Sequence, residues 1–317
     1  MKISDLIQKR FNKPDNKGDE FGFTNQVAAR NKRIVNKDGS FNVIRIGEKK
    51  SLFHNLVVMN WLKFCGVILS FYLLLNIVFA LFYILVDVNG IGMTADYQVQ
   101  NRFLIAFFFS AQTLTTVGYG SLYPLDAIVS TIASIEALFG LMSFAIFTGL
   151  MYGRFSKPLD GIRFSKNILM APHKQGYALM FRIANERDHN LTEMDARVLM
   201  SVVVSDNGKE SRKYQPLELE NSKVNYFPIN WTLVHYIDEQ SPLYGLSEDD
   251  FNVSQFEWLV MIKGYNLTAT QEIHVKSSYT TNELVWNARF KLPYHFNEDG
   301  ITVFELDKMD DFEKVQA

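Results

Sequence analysis

Two stretches almost empty of charge flank the string "SAQTLTTVGYGSLYP", Ser110 to Pro124, and that arrangement limits what the chain can fold into. From Phe64 to Val86 there is no charged residue, and from Ala127 to Tyr152 the only one is Glu136. Each run is long enough to cross about 30 Å of hydrocarbon as a helix. The alternative, a buried helix of a soluble core, seldom stays apolar on every face for so long. The quoted string between the runs carries hydroxyls and two glycines. Backbone carbonyls face a bilayer interior only where they are buried in protein or line a watery path, so a segment that dips back with such residues needs a use for them.

Charge sets the expected orientation. Residues 1–63 carry thirteen Lys or Arg against six Asp or Glu, and residues 154–174 carry five against one. Arg102 is the only basic residue of the 87–125 connection. Since basic residues stay on the cytoplasmic side, both termini are expected in the cytoplasm of a multi-pass protein of the plasma (inner) membrane. The sequons at Asn190 and Asn266 then carry no glycan. The first twenty residues contain no apolar core of a cleaved secretory signal. Cys65 is the single cysteine, which rules out an intrachain disulfide and a cysteine-based zinc site.

The stretch "LFHNLV" places Leu52, Phe53, Leu56 and Val57 on one helical face, either as a short helix at the membrane surface or as the first turns of the span. After Pro158 the texture changes to short β-branched or alternating runs, among them "ALMFRIA", "ARVLMSVVVSD", "EWLVMIKGYNLTA" and "QEIHVKSSY". Turn signals at Asp206-Asn207-Gly208 and Asp299-Gly300 separate such runs, as in an all-β sandwich. Three regions are therefore expected: a cytoplasmic N-terminal segment over 1–50, a transmembrane pore domain over 51–157 and a cytoplasmic β-domain over 158–317.

"NRFLIAFFFSAQTLT" is too short to cross and return, but suits a half-helix that ends midway in the bilayer. "TVGYG" then returns as extended chain, with Gly118 and Gly120 free to adopt angles that other residues resist. Carbonyls of Thr116, Val117, Gly118, Tyr119 and Gly120 are expected to point to one axis, their side chains wedged outward against helices. Four T-V-G-Y-G loops around an axis are the known form of a potassium filter, and the expected preference for potassium rests on that match alone. An ordinary turn that carries V-G-Y-G by chance is the alternative.

Beyond the filter, "NKDGSFNVIRIG", "FFFSAQTLTTVGYG", "GRFSKP", "YIDEQSPLYGLS" and "SSYTTNELVWNARF" together resemble the inward rectifier potassium channel family, prokaryotic type, over nearly the whole chain. The resemblance implies an outer helix, pore helix, filter and inner helix. It also implies a cytoplasmic immunoglobulin-like sandwich, a homotetramer, K+ as the transported ion at the filter carbonyls, and no cofactor. It places Tyr152 where a ring closes the inner-helix bundle, and Gly264, Tyr265, Thr270 and Gln271 at a second constriction. Spacing puts Phe144, Thr148 and Tyr152 on one helical face, although Tyr152 also fits an interfacial aromatic anchor. Gly140, Gly149 and Gly153 are either bending points or close-packing positions.

Glu136 is expected near the foot of the pore helix, bonded to Gln112 or Thr113 and so supporting the filter from behind, with direct ion binding as the alternative. Strong rectifiers of the family carry acids at the positions matched here by Phe144 and Lys213, so weak rectification is expected. Residues 175–317 hold 13 basic and 23 acidic residues, a field that attracts cations. Arg154, Lys157, Arg163 and Lys166 cluster where anionic lipid head groups would sit. An enzyme is not expected: His54, His173, His189, His235, His274 and His295 lack metal-ligand spacing, and no nucleophile or phosphate motif occurs. Nor is a nucleic-acid partner. A membrane-anchored sensor and a poorly selective cation channel are the remaining rivals.

Overall fold

In the computed structural model the described residues are 33–44, 46–47, 51–156, 161–188, 190–206, 209–253 and 255–315. Packing divides the chain into two units, residues 46–157 and residues 1–45 together with 158–317. Of the N-terminal segment, residues 33–44 group with the β-domain.

The first unit is helical. Ser51 caps α1, Leu52–Val58, whose run ends where Met59 turns extended at ψ 159°. That break makes α1 a helix of its own and not the first turns of the span. Asn60 then caps α2, Trp61–Asp87, by accepting from Leu62 N–H at 3.0 Å. Asn101 caps α3, Arg102–Leu114, and Asp126 caps α4, Ala127–Phe155. Both α2 and α4 are long and apolar enough to cross a membrane. At thirteen residues α3 reaches about 20 Å, short of the hydrocarbon thickness. Strand β1, Ile91–Met93, pairs antiparallel with β2, Leu122–Pro124, so the chain that leaves α2 ties down the chain that leaves the T-V-G-Y-G segment.

The second unit is a β-sandwich. Its strands are β3 (Ile162–Phe164), β4 (Ile168–His173), β5 (Gly176–Asn185), β6 (Leu191–Asp206), β7 (Lys209–Leu217), β8 (Lys223–Tyr226), β9 (Asn230–Ile237), β10 (Phe256–Asn266), β11 (Gln271–Thr280) and β12 (Leu284–Trp286). One sheet runs β11-β10-β6-β7 with β8 also on β6, and the other runs β12-β4-β5-β3 with β9 also on β5. Alternate residues of β9, Trp231, Leu233 and His235, are buried, the period expected of a strand with one face on the core. Leu179, Phe181 and Leu233 from one sheet share a core with Val198, Met200, Trp258 and Val260 from the other.

Residues 33–44 form a tight bend, bridged from Val35 to Phe41, that seats on this sandwich. Glu257 accepts from Ile34 N–H at 2.8 Å and from Arg212 at 2.8 Å, in an ion pair almost closed to solvent. A buried pair of this kind is tolerable only when its remaining valences are met; here the backbone N–H groups meet them. Glu283 binds Arg33 and Lys37. Burial pushes its carboxyl up, but Lys37, Thr280 N–H and Arg33 outweigh that and hold it below the usual range.

Candidate functional site

The candidate site is the segment between α3 and β2. Its entry is fixed by Gln112, whose backbone oxygen accepts from Val117 N–H at 3.0 Å and Gly118 N–H at 3.3 Å. Its exit is fixed by the same residue, since Gln112 Nε2 donates to Leu122 O at 2.9 Å. A single buried glutamine therefore spans the segment from behind.

Along the segment, φ is +58° at Thr116, +55° at Gly118 and +82° at Gly120. In a regular strand successive peptide groups alternate in direction. A left-handed residue at every second position undoes that alternation and lets neighbouring carbonyls share one side. Glycine takes this conformation freely, whereas β-branched Thr116 is strained there. The two glycines were legible in the sequence, and the threonine was not. Val117 is 53% and Tyr119 81% exposed. The expected wedging of these side chains against helices is thus not made by the helices of the same chain.

Behind the segment the hydrogen-bonding expectation for Glu136 needs correction. Its carboxyl does not meet Gln112 or Thr113. Thr113 Oγ1 donates instead to Phe109 O at 2.7 Å, back along its own helix. Glu136 is bonded by Ser110 Oγ and by Tyr83 OH, the latter at 2.6 Å. Ser110 also lies 3.1 Å from Asn76 Oδ1. All four side chains are fully buried, and the sequence pointed only to Glu136. A tyrosine and an asparagine inside an apolar run carry no periodic signal that would single them out.

On α4, Phe144, Thr148 and Tyr152 do form one exposed stripe, with Phe144 at 73% and Tyr152 at 74%. Phe144 joins Phe71, Leu75, Thr115, Thr116 and Phe147 around an open apolar pocket of about 550 Å³ that borders the start of the T-V-G-Y-G segment. Gly140 is a close-packing position, because a Cβ there would lie 1.9 Å from Leu114 O; around Gly149 there is open space.

The basic cluster divides. Arg154 donates to the carbonyls of Leu56, Val57 and Met59 at 2.8, 3.2 and 2.9 Å, and its guanidinium lies over the ring of Phe64. It caps the end of α1, a use that the sequence expectation of a free lipid ligand did not foresee. Arg163 pairs with Asp310 at 3.0 Å, and exposed Lys166 reaches the same carboxylate at 3.4 Å. Lys157 lies outside the described residues. In the β-domain, Tyr265 and Gln271 lie beside the turn of the β10–β11 hairpin, and Thr270 sits in that turn at φ +54°. Gly264 does not line that turn: it is buried, with Met194 Sδ only 2.2 Å from where its Cβ would be. Lys213 is half-buried on β7. Among the described residues no group of three or more His, Cys, Asp or Glu gathers to hold a metal.

Comparison with known proteins fits both units. Residues 57–157 match the family model for an ion channel, and residues 162–317 match the inward rectifier potassium channel C-terminal domain. The inward rectifier potassium channel Kirbac3.1 of Paramagnetospirillum magnetotacticum is 33% identical over 286 residues, covering 88% of this chain and 95% of that protein. Inward rectifier potassium channel 18 of Homo sapiens is 26% identical, over 84% of this chain and 67% of its own length. ATP-sensitive inward rectifier potassium channel 12 of Homo sapiens is 27% identical over the same shares. Sporulation control protein Spo0M of Bacillus subtilis overlays at a TM-score of only 0.20, with 10% identity over 38% of this chain and 45% of that one, and carries no argument. With a pore unit and a C-terminal domain both matched, and a relative aligned along almost its full length, the chain belongs to the inward rectifier potassium channel family, whose members are membrane ion channels and not enzymes.

Proposed function

We propose that four copies of the chain surround one axis and pass K+ through a filter made of Thr116, Val117, Gly118, Tyr119 and Gly120, with residues 51–157 as the pore domain and 158–317 as the cytoplasmic domain. The observation that carries this reading is the left-handed backbone at every second residue of the segment. It gives the carbonyls a common side, as replacement of an ion's water shell requires. Val117 and Tyr119, uncovered in one chain, then find their packing partners in a neighbouring copy. The C-terminal end of α3, which precedes the filter, carries partial negative charge that favours a cation. Gln112 and Glu136 hold the filter from behind.

The exposed stripe of α4 lines the path below, and four Tyr152 rings close it by excluding water. Tyr265, Thr270 and Gln271 narrow the path again at the hairpin end. Phe144 and Lys213 stand at the two positions where an acid would hold an internal blocking cation, so rectification is weak. Both termini lie in the cytoplasm, under the inner membrane. Anionic head groups act on the channel through Lys157, Arg163 and Lys166, the last of them exposed beside Asp310, whereas Arg154 is engaged by the carbonyls at the end of α1.

Purified full-length protein in liposomes tests the reading. Barium-sensitive rubidium uptake, a reversal potential that favours K+ over Na+, and a fourfold native mass are expected. A monomer, or uptake indifferent to barium, refutes it.

A further inference from the structure

The buried group behind the filter ties three helices together: Asn76 and Tyr83 come from α2, Ser110 from α3 and Glu136 from α4. Their donors and acceptors can be counted. Asn76 Nδ2 donates to Tyr72 O at 2.8 Å, which fixes its Oδ1 as an acceptor facing Ser110. Tyr83 OH donates to Glu136 Oε2. Ser110 Oγ lies within bonding distance of both Asn76 Oδ1 and Glu136 Oε1. A serine hydroxyl has one hydrogen and can serve only one of them. With an ionised carboxylate, either Asn76 Oδ1 or Glu136 Oε1 is left without a donor in a region closed to water. An unmet buried acceptor of that kind is penalised, and among the described residues no cation pairs with Glu136 to compensate it.

With a hydrogen on Oε1 every position is satisfied. Tyr83 donates to Glu136, Glu136 donates to Ser110, Ser110 donates to Asn76, and Asn76 donates to Tyr72. We infer that Tyr83, Glu136, Ser110 and Asn76 form an uncharged, one-directional hydrogen-bond relay that positions the filter. Ser110 stands two residues before Gln112, the residue that bonds both ends of the filter segment. The relay therefore sets the height and rotation of the part of α3 on which the filter hangs. None of the four touches the ion; they are positioning residues. The inference rests on Thr116–Gly120 being the filter, as proposed above.

The test compares variants of the full-length protein in liposomes by K+/Na+ permeability ratio and by barium-sensitive rubidium uptake. Glu136→Gln keeps one acceptor for Tyr83 and one donor for Ser110 on the same skeleton, so its ratio should stay within about twofold of wild type. Ser110→Ala and Glu136→Ala interrupt the relay and should lower the ratio about tenfold, the scale of one buried hydrogen bond. Tyr83→Phe removes one end and should give a smaller loss. A general packing defect would not spare Glu136→Gln while affecting Ser110→Ala. The inference is overturned if Glu136→Gln is as poor as Ser110→Ala, which would make charge the requirement, or if Ser110→Ala keeps the wild-type ratio. If Glu136→Ala does not fold, the near-isosteric Glu136→Gln and Ser110→Ala decide between these outcomes. Wild-type protein that fails to prefer K+ refutes the filter reading instead, which separates the two failures.

Discussion

Replacing Gly140 by alanine would set a methyl carbon 1.9 Å from Leu114 O and 2.9 Å from Leu114 C, both backbone atoms. Ordinary contact begins at 3.4 Å, so α3 and α4 must separate by about 1.5 Å at that point, equal to the rise of one helical residue. Neither partner is a flexible side chain that could swing aside. Overpacking of this kind costs about 1–3 kcal/mol, and here the strain falls on the carbonyl two residues before Thr116. The filter should therefore be displaced along with the end of α3. In liposomes Gly140→Ala is expected to lose most barium-sensitive rubidium uptake and at least about tenfold of its K+/Na+ discrimination, a factor worth about 1.4 kcal/mol. Gly149→Ala is the control on the same helix, because nothing lies within 4 Å of its added carbon within the chain. Helix propensity alone should stabilise that variant by about 0.5–1 kcal/mol. Wild-type uptake and selectivity in Gly140→Ala would refute the claim that the close approach of α4 sets the position of the filter.

Truncation of Tyr152 to alanine should raise resting rubidium uptake severalfold without changing ion preference, because it widens the inner end of the α4 stripe; uptake unchanged would remove Tyr152 from the gate. Arg154→Gln should release the carbonyls of Leu56, Val57 and Met59 and weaken the end of α1 by about 2–3 kcal/mol, seen as faster amide exchange over 52–59, with Arg154→Lys recovering only part. His235 gives a pH dependence. Burial lowers its pKa from the ordinary 6.5, against the opposing pull of Glu218 O, Asp238 and Glu218, so below pH 6.5 the unfolded chain binds a proton that the folded chain refuses. Stability of the full chain in detergent, followed by tryptophan fluorescence, should fall as pH drops from 6.5 toward the lower folded value, and His235→Gln should flatten that slope. An equal slope in the variant would assign the effect elsewhere.

Absence of charge made the spans readable, because a charged side chain is costly along the whole length of a helix that crosses hydrocarbon. Observed α2 and α4 differ from the runs 64–86 and 127–152 only by a few residues at their ends, where polar caps and interfacial aromatics give no sharp boundary. The strands of the sandwich were legible for a similar reason: β-branched runs between turn residues have few other uses. The side chains of the site were less so. Glu136 was recognisable as a buried acid, but a helix turn of error in the depth of α3 exchanged Ser110 for Gln112 and Thr113. Arg154 followed the familiar pattern of a basic residue at a membrane boundary, and only the folded chain reveals that α1 ends within its reach. Thr116 offered no clue at all, since a threonine in a left-handed conformation contradicts its own preference.

The seat of residues 33–44 has a consequence for how the molecule is made. Ile34 bonds Glu257 across 223 positions of sequence, and Arg33 bonds Glu283 across 250. On the ribosome, both helices that cross the bilayer are synthesised before either acid exists. Docking of this bend is thus confined to the end of synthesis, after a long loop closure with its entropic penalty. A nascent chain arrested before Glu257 should leave residues 33–44 open to protease, and one released after Glu283 should protect them.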